Sequence, residues 1–422
     1  MMLVDGADPV SIRIHEKLIG LTPNAPECCI FRVHTQLRKT NEKAYEPQLL
    51  AIGPYHRGKD DLRLMENHKL HYLQLLLHRR RESNVETYIK AIRELEGRAR
   101  EFYAEPISLT TDEFVEMMLL DGFFIIELLR KRTMKVLMDE YDPIFQLGWM
   151  FYSLMRDLLL FENQIPFFLL TKLFEMTEVP NRQNNLIDVA IHFIRVSLPC
   201  GGHICLSCDG SLQNIKHLLA LVYKSFTSPS VEIGIGWSIV HEEEWSSIPS
   251  AIELQEAGVK FKKLDKGTLF DIKFNNGVME IPLMKIEKRS ESIFRNLAAY
   301  EQYSQNNHLK FFTGYVSFMG YLINSPKDVE FLRRRGIIEN FLGDDEAVST
   351  MFKNLRDNAI VFNLHFAELF RNVNKYCRRH QNVWIANLKH NYFSSPWAFI
   401  SFLAAALLLL LTLTQTIFSI LS

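Results

Sequence analysis

The end of the chain is an uncharged apolar run, and it constrains the protein more than any other feature. After Pro396 the sequence reads WAFISFLAAALLLLLTLTQTIFSILS, with no charged residue from Trp397 to Leu421. A helix of about 25 residues at about 1.5 Å each is about 37 Å long, enough for a hydrocarbon layer of about 30 Å. A buried soluble helix is the alternative, but Leu407–Leu411 has no polar face. The sequence therefore predicts a transmembrane helix over 396–421.

The residues beside this run predict its orientation. Only Ser422 follows it, which predicts a single-pass tail anchor inserted after translation. From Arg371 onward there is no Asp or Glu, and the flank before the run is basic, with Arg371, Lys375, Arg378, Arg379 and Lys389. This bias predicts a cytosolic large domain at the plasma membrane or an endomembrane. The absence of any Asn-X-Ser/Thr glycosylation site agrees with that orientation.

Composition narrows the class of protein. The formal net charge of −1 argues against a general affinity for nucleic acid. Six cysteines in 422 residues are too few for a disulfide framework. The first residues, MMLVDGADPVSIRIHEKL, lack the basic start and apolar run of a secretory signal peptide.

Hydrophobic periodicity predicts a mainly α fold: a large helical domain with a small antiparallel β-sheet, plus one C-terminal transmembrane helix. Capping boxes at Thr110–Glu113 and Ser250–Glu253 predict two helix starts. The stretch from Pro143 to Phe174 predicts two buried helices broken at Pro166. Strand-like alternation surrounds the Asn276-Gly277 turn, which predicts a hairpin. Further helices are expected near 184–197, 211–225, 291–304, 309–324, 326–335 and 345–380.

These elements predict three regions along the chain. An N-terminal extension covers 1–27 and a globular domain covers 28–393, before the transmembrane helix at 396–421. Within the globular domain, irregular loops are expected near 198–210 and 227–247, where Gly, Ser, Pro and polar residues are frequent.

The loop AIGPYHRG at 51–58 offers a phenol, an imidazole and a guanidinium within a few residues. A phosphate cradle needs several converging backbone N–H groups, usually supplied by several glycines. Pro54 removes one such donor, and no phosphate-binding glycine motif occurs in the chain. The sequence favours a structural turn over a ligand site here.

Two clusters have residues that bind metals. His68, His71 and His78 lie on one predicted helix near Glu66, but no third zinc ligand is identifiable. The stretch CGGHICLSC supplies Cys200, His203, Cys205 and Cys208, but a second ligand pair is missing. We predict exposed helix histidines and reduced loop thiols, with no metal and no cofactor.

Asp121, Asp157 and Glu162 lie in apolar surroundings, where carboxylates can act as acids. They can equally satisfy helix ends, together with Asn163 and Gln164. Since no nucleophile motif accompanies them, we predict no catalytic residue. The basic triplets Arg79–Arg81 and Arg333–Arg335 are interpreted as surface residues at helix ends. Within the transmembrane run, Thr412, Thr414, Gln415 and Thr416 suggest homo- or hetero-oligomers through that helix.

Several stretches together resemble the plant DUF247 family, also called UPF0481 proteins. They include YEPQLLAIGPYHRG, LRLMENHKLHYL, DLLLFENQIPFFLL, LFDIKFNNGVMEIPL and YCRRHQNVWIANLKHNYFSSPWAFIS. One departure is IFRVHTQLRKTNEKAY, where the family usually has a proline near the Val-His step. The resemblance implies a plant-restricted protein with a C-terminal membrane helix and no established enzymatic activity. Some grass members are associated with self-incompatibility recognition in pollen.

The leading hypothesis is thus a membrane-tethered protein whose helical domain binds an unknown protein partner in recognition or signalling, without catalysis. One rival is a hydrolase-like enzyme at the membrane surface that uses Asp121, Asp157 or Glu162. Another is a receptor-like protein whose large domain lies outside the cytosol.

Overall fold

A computed structural model describes residues 8, 10–11, 13–15, 27–134, 137–177, 185–195, 214–226, 247–265, 267–304, 310–357, 366–378 and 396–421. The fold is mainly α-helical with a small mixed sheet, which confirms the predicted fold class. The chain divides into two compact units. Unit 1 consists of Met1–Ile194 and Leu212–Val222, and unit 2 consists of Arg195–Ser211 and Tyr223–Ser422. The predicted 28–393 boundary of the globular domain stays a prediction.

Unit 1 is built from helices joined by short turns. In chain order they are α1 Thr35–Arg38, α2 Arg63–Arg80, α3 Glu86–Arg100, α4 Thr111–Thr133, α5 Pro143–Gln146, α6 Gly148–Asp157, α7 Phe167–Met176 and α8 Leu186–Arg195, followed by α9 Leu218–Phe226, in which the division between the units falls.

Helix α4 is the core of unit 1, and its sequence explains its position. The Thr110 side chain accepts from the Glu113 amide, and Glu113 accepts from the Thr110 amide, so the predicted capping box is confirmed. Every residue from Phe114 to Lys131 except Glu116 is buried, so the helix has almost no polar face. Such a helix must be surrounded by other elements. Helices α2, α3 and α7 pack against it.

The stretch predicted as two buried helices broken at Pro166 forms two helices whose bounds differ from the prediction. Helix α6 already ends at Asp157, and Pro166 is the residue before α7. On α6, Met150 and Phe151 are buried while Trp149 and Tyr152 are exposed. The first of the two predicted buried helices therefore has one exposed face, because the alternation of its two faces was not recognised.

The described part of unit 2 combines helices with five short strands. In chain order they are α10 Ala251–Glu256, β1 Lys260–Leu264, β2 Lys273–Asn275, β3 Val278–Pro282, β4 Met284–Ile286, α11 Ser290–Tyr303, α12 Phe311–Leu322, α13 Pro326–Arg334, β5 Ile338–Asn340, α14 Asp345–Asp357, α15 Ala367–Cys377 and α16 Pro396–Leu421. The helix expected over 345–380 is thus described as α14 and α15.

The sheet is mixed rather than antiparallel, which corrects one part of the prediction. The Asn276-Gly277 turn joins β2 to β3 as an antiparallel hairpin, with positive φ at both turn residues. Strand β1 pairs with the free edge of β3 instead of with β2, and there it runs parallel. Strands β4 and β5 form a separate parallel pair. The error arose because alternation reveals strands but not their neighbours.

Helix α16 is 26 residues long and contains an 18-residue window, Ile400–Ile417, that is apolar enough to cross a membrane. No part of that window is buried against the rest of the chain. The helix therefore lacks the packing that a soluble core helix would have.

Candidate functional site

The loop at 51–58 is held by unit 1 as a fixed turn. Gly53 and Gly58 both have positive φ, at +70° and +84°. The Gly53 amide donates to Asp121 Oδ2 at 2.7 Å. A Cβ atom at Gly53 would lie 2.6 Å from the carbonyl oxygen of Gln164, so only glycine fits. This geometry supports the interpretation of the loop as a structural turn.

Asp121 is buried on α4 and binds the backbone of this turn. One of its oxygens accepts from Gly53, and Oδ1 lies 2.6 Å from Lys69 Nζ. Lys69 also donates to the Ala51 carbonyl and to Glu66 Oε1. Burial lowers the pKa of Lys69, but the charges of Asp121 and Glu66 outweigh burial and raise it. Asp121 is thus one side of a buried ion pair that fixes the loop.

Asp157, at the end of α6, binds the same part of the chain by backbone contacts. Its Oδ2 accepts from the amides of Leu49 at 2.7 Å, Leu50 at 3.0 Å and Gln48 at 3.0 Å. Its Oδ1 accepts from Arg156 Nη1 at 2.8 Å. Three consecutive amides on one carboxylate oxygen form a concave backbone that encloses the negative charge. This carboxylate therefore has its acceptor positions filled.

Asn163 and Gln164 lie beside Asp157 and add further hydrogen bonds to this part of the chain. Asn163 accepts from the Ile52 amide and donates to the carbonyls of Leu50 and Asp157. Gln164 is buried as well and donates to two carbonyls within its own turn. The stretch 48–53 is therefore tied down by side chains from α4, from α6 and from the turn after α6.

Glu162 lies at the centre of a cluster of charges. Its Oε1 accepts from the Val33 amide at 2.6 Å and from Arg38 Nη2 at 2.7 Å, and its Oε2 lies 3.3 Å from His56 Nε2. On the other side of the imidazole, His56 Nδ1 lies 3.5 Å from Glu46 Oε2. Burial raises the pKa of Glu162, but the adjacent His56 and the hydrogen bonds from Arg38 and the Val33 amide outweigh burial and lower it. The imidazole of the loop is thus enclosed between two glutamates.

This cluster predicts an acid-dependent stability. Burial raises the pKa of Glu46, but hydrogen bonds from Lys59 and Arg38 outweigh burial and lower it from 4.5 to about 2. The folded chain therefore holds this carboxylate ionised at pH values where the unfolded chain protonates it. The resulting stability is present above pH 4.5 and is lost as the pH falls towards 2.

We expect Glu46→Gln to destabilise unit 1 at neutral pH and to differ progressively less from the wild type as the pH is lowered from 4.5 to 2. Urea unfolding at a series of pH values measures the difference. A difference that is the same at pH 7 and near pH 2 would contradict the assignment of the stability to this carboxylate.

The three carboxylates of the enzyme hypothesis thus have separate backbone partners. Asp121 binds the Gly53 amide, Asp157 binds the amides of 48–50, and Glu162 binds the Val33 amide. None of the three lines the cavity formed by α2 and the chain after α4. Such an arrangement fixes a fold, whereas a general acid needs access to substrate.

That cavity lies between α2 and the chain after α4 and has a volume of about 320 Å³. Its wall is formed by Leu64, Asn67, His68, His71, Lys131, Asp139, Tyr141, Asp142 and Pro143. At its base, Lys131 Nζ lies 2.6 Å from Asp142 Oδ2, which also accepts from the Tyr72 hydroxyl. Burial lowers the pKa of His68, which favours the neutral imidazole. The cavity therefore suits an uncharged group.

The histidines predicted to be exposed on one helix do lie on α2, with His68 half-buried and His71 exposed. In the part of the chain that the structure describes, no three His, Cys, Asp or Glu side chains are grouped to hold a metal ion. Cys200, His203, Cys205 and Cys208 lie outside the described residues, as do the loops near 198–210 and 227–246.

Residues of both basic triplets form ion pairs with acidic side chains. Arg79 makes two hydrogen bonds to Glu127, at 2.7 and 2.8 Å. Arg333 pairs with Asp345 at 3.2 Å, and Arg334 pairs with Glu330 at 2.5 Å. The Arg333 and Arg334 pairs support the interpretation of that triplet as surface residues at a helix end, whereas Arg79 joins α2 to the buried Glu127 of α4.

An exposed apolar segment lies beside the cavity, and sequence reasoning missed it. Among the residues that the structure describes outside α16, ten large apolar side chains are exposed, and five of them fall within 138–152. They are Met138, Tyr141, Leu147, Trp149 and Tyr152. Tyr141 also lines the cavity. The only sequence signal for this segment was the spacing of Trp149 and Tyr152, three positions apart on α6.

Fold and site together define a class of protein: a mainly helical chain that has two compact units and a small mixed sheet and includes a C-terminal helix able to cross a membrane. The DUF247 family model, described as a plant protein of unknown function, matches residues 30–411. The chain therefore belongs to the DUF247 family.

Curated relatives carry the name UPF0481 and come from Arabidopsis thaliana. UPF0481 protein At3g47200 is 32% identical, over 94% of this chain and 87% of that protein. Putative UPF0481 protein At3g02645 is 22% identical, over 92% of this chain and 89% of that protein. No solved structure matches the chain.

Proposed function

We propose that this protein is tethered to a membrane by α16 and recognises a protein partner through unit 1, without catalysing a reaction. The observation that carries the proposal is the exposed apolar segment 138–152. Tyr141 is 80% exposed and Trp149 is 61% exposed. Large exposed aromatic side chains concentrated in one segment are typical of binding surfaces.

The cavity beside the segment adds to this proposal. Its wall includes exposed Leu64 and Tyr141, while the charges of Lys131 and Asp142 at its base neutralise each other. A partner can insert one apolar side chain there without leaving a buried charge unpaired. Exposed aromatic residues around such a pocket then contribute most of the binding energy.

The absence of catalysis is supported by the buried carboxylates. Asp121, Asp157 and Glu162 are each used to bind backbone amides. An enzyme that used them would have to break the contacts that hold 48–53 in place. The polar network of unit 1 is better suited to giving a binding surface a fixed shape.

Attachment to a membrane is supported by the length and exposure of α16. None of the Ile400–Ile417 window is buried, and a bilayer covers such an apolar surface completely. The basic residues Arg371, Lys375 and Arg378, on and just after α15, support a cytosolic position for the adjacent chain. We propose that orientation here, at the plasma membrane or an endomembrane.

The proposal predicts that Tyr141→Ala combined with Trp149→Ala weakens partner binding by about 10- to 100-fold, because aromatic residues dominate interface energies. Tagged full-length chain is isolated from plant membranes in mild detergent, and co-purifying proteins are quantified by mass spectrometry. The matched control is Phe341→Ala, which removes another exposed aromatic ring (60% exposed) from unit 2.

The proposal is supported if some proteins co-purify with the wild type and with the Phe341 variant but not with the double variant. Hydrogen exchange of α4 must be unchanged in the double variant, since both side chains are exposed. An identical set of proteins in equal amounts from all three chains would contradict the proposed surface.

A further inference from the structure

Between Thr412 and Thr416, helix α16 carries four polar side chains, and three of them are satisfied within the helix. The hydroxyl of Thr414 donates to the carbonyls of Leu410 and Leu411, at 3.0 and 2.8 Å. Thr416 donates to the carbonyl of Thr412, and Thr412 itself donates one turn back. The Gln415 side chain is exposed, and its side-chain amide group has no hydrogen bond with any residue that the structure describes.

At the depth of Gln415 in a bilayer, a side-chain amide without hydrogen bonds has a high free-energy cost. Gln415 lies six residues beyond Leu409, the midpoint of the uncharged run Trp397–Leu421, which is about 9 Å along the helix axis. A hydrocarbon layer extends about 15 Å to each side of its centre. At that depth neither water nor lipid supplies hydrogen-bond partners. An unsatisfied amide therefore favours association with another polar group.

We propose that α16 pairs with α16 of a second copy of this chain, through reciprocal hydrogen bonds between the two Gln415 amides. A primary amide is both donor and acceptor, so it complements itself across a two-fold axis. Copies inserted in the same orientation carry Gln415 at the same depth. A second copy is therefore the partner that necessarily presents a matching group.

The neighbours of Gln415 define the face that meets the partner. Leu408, Leu411 and Thr412 lie seven, four and three positions before it, on the same side of a helix. Thr412 is the smallest of these and allows close approach of the two backbones. Thr414 lies on a different side, about 100° around the helix.

The inference rests on the membrane insertion proposed above. It is tested on the full chain in phosphatidylcholine vesicles, with donor and acceptor fluorophores attached to the N-termini of two populations. Energy transfer measured as the protein is diluted with lipid gives the dimer dissociation constant. We expect Gln415→Leu to weaken the dimer by about 3- to 30-fold and Gln415→Asn to retain most of it.

The matched control is Thr414→Leu, which removes a polar group that is already satisfied on another side of the helix. It is expected to leave the dissociation constant unchanged. Three results would overturn the inference. The first is wild-type energy transfer that does not depend on protein concentration. The others are a Gln415→Leu dissociation constant equal to that of the wild type, or equal losses of affinity in both leucine variants.

Carbonate washing of the same vesicles separates failure of this inference from failure of the membrane anchor. Each variant must stay with the lipid, since both leucine substitutions make α16 more apolar. If the wild type itself leaves the lipid, the proposed anchor fails and the dimer with it. If every chain stays with the lipid and Gln415→Leu still equals the wild type, only the dimer fails.

Discussion

Replacing Asp157 by alanine is expected to lower the free energy of unfolding of unit 1 by about 3–5 kcal/mol, the range found when one partner of a buried charged contact is removed. The substitution leaves the amides of Gln48, Leu49 and Leu50 without their acceptor and Arg156 without its nearest carboxylate. Buried donors that lose their partner carry the full cost of desolvation. Hydrogen exchange of the peptides covering 44–55 and α4 measures the effect in the full-length chain.

Two further variants test whether the loss of stability comes from the Asp157 carboxylate itself. Glu116 is an exposed acidic residue of α4, outside the capping box, and Glu116→Ala is expected to change stability by no more than about 0.5 kcal/mol. Asp157→Asn keeps one acceptor oxygen and is expected to fall between the other two variants. Exchange at 48–50 that is no faster in Asp157→Ala than in wild type would contradict the role assigned to this carboxylate.

Gly53→Ala is expected to destabilise unit 1 by about 3 kcal/mol. Its backbone has a φ of +70°, which disfavours a side chain, and the added Cβ would lie 2.6 Å from the carbonyl oxygen of Gln164. That oxygen belongs to the backbone and also accepts from the Tyr103 hydroxyl, so it cannot shift without breaking another contact.

Gly58→Ala is the matched control for this prediction. Gly58 has a similar φ of +84°, but nothing lies within 4 Å of its added Cβ. The backbone effect alone is expected to be about 1 kcal/mol. The difference between the two variants, measured by the same exchange experiment, isolates the close approach of Gly53 to Gln164. Equal effects would show that the loop is free to move away.

Sequence reasoning succeeded where the cause of a structure is local. The capping boxes at Thr110 and Ser250 and the Asn276-Gly277 hairpin are each fixed by residues a few positions apart. The apolar run of α16 also depends on its own composition alone. Such features can be predicted because the residues that make each contact are adjacent in the sequence.

The buried network was only partly predictable. The sequence marked Asp121, Asp157 and Glu162 as residues that satisfy backbone or act as acids, but not which groups they bind. Asp157 lies more than 100 positions from Gln48, Leu49 and Leu50. Pairing at that separation is decided by the packing of helices, which one sequence does not reveal. The parallel pairing of β1 with β3 was missed for the same reason.

The exposed segment 138–152 was missed because most of it was predicted to belong to a buried helix. The sequence alone does not distinguish Trp149, which is exposed, from its buried neighbours Met150 and Phe151. Loss of solvent from this segment would stabilise a complex, whereas the folded monomer leaves it in water. The feature that carries the proposed function is thus the one that departs from the ordinary rule of burial.

The central claim is that α16 lies in lipid while the rest of the chain is a scaffold for binding, and membrane extraction tests it most directly. Membranes from plant cells that express the full-length chain are washed with alkaline carbonate and centrifuged, beside a chain that ends before Pro396. We expect the full-length chain in the pellet and the shortened chain in the supernatant. Full-length protein released into the supernatant would contradict the account.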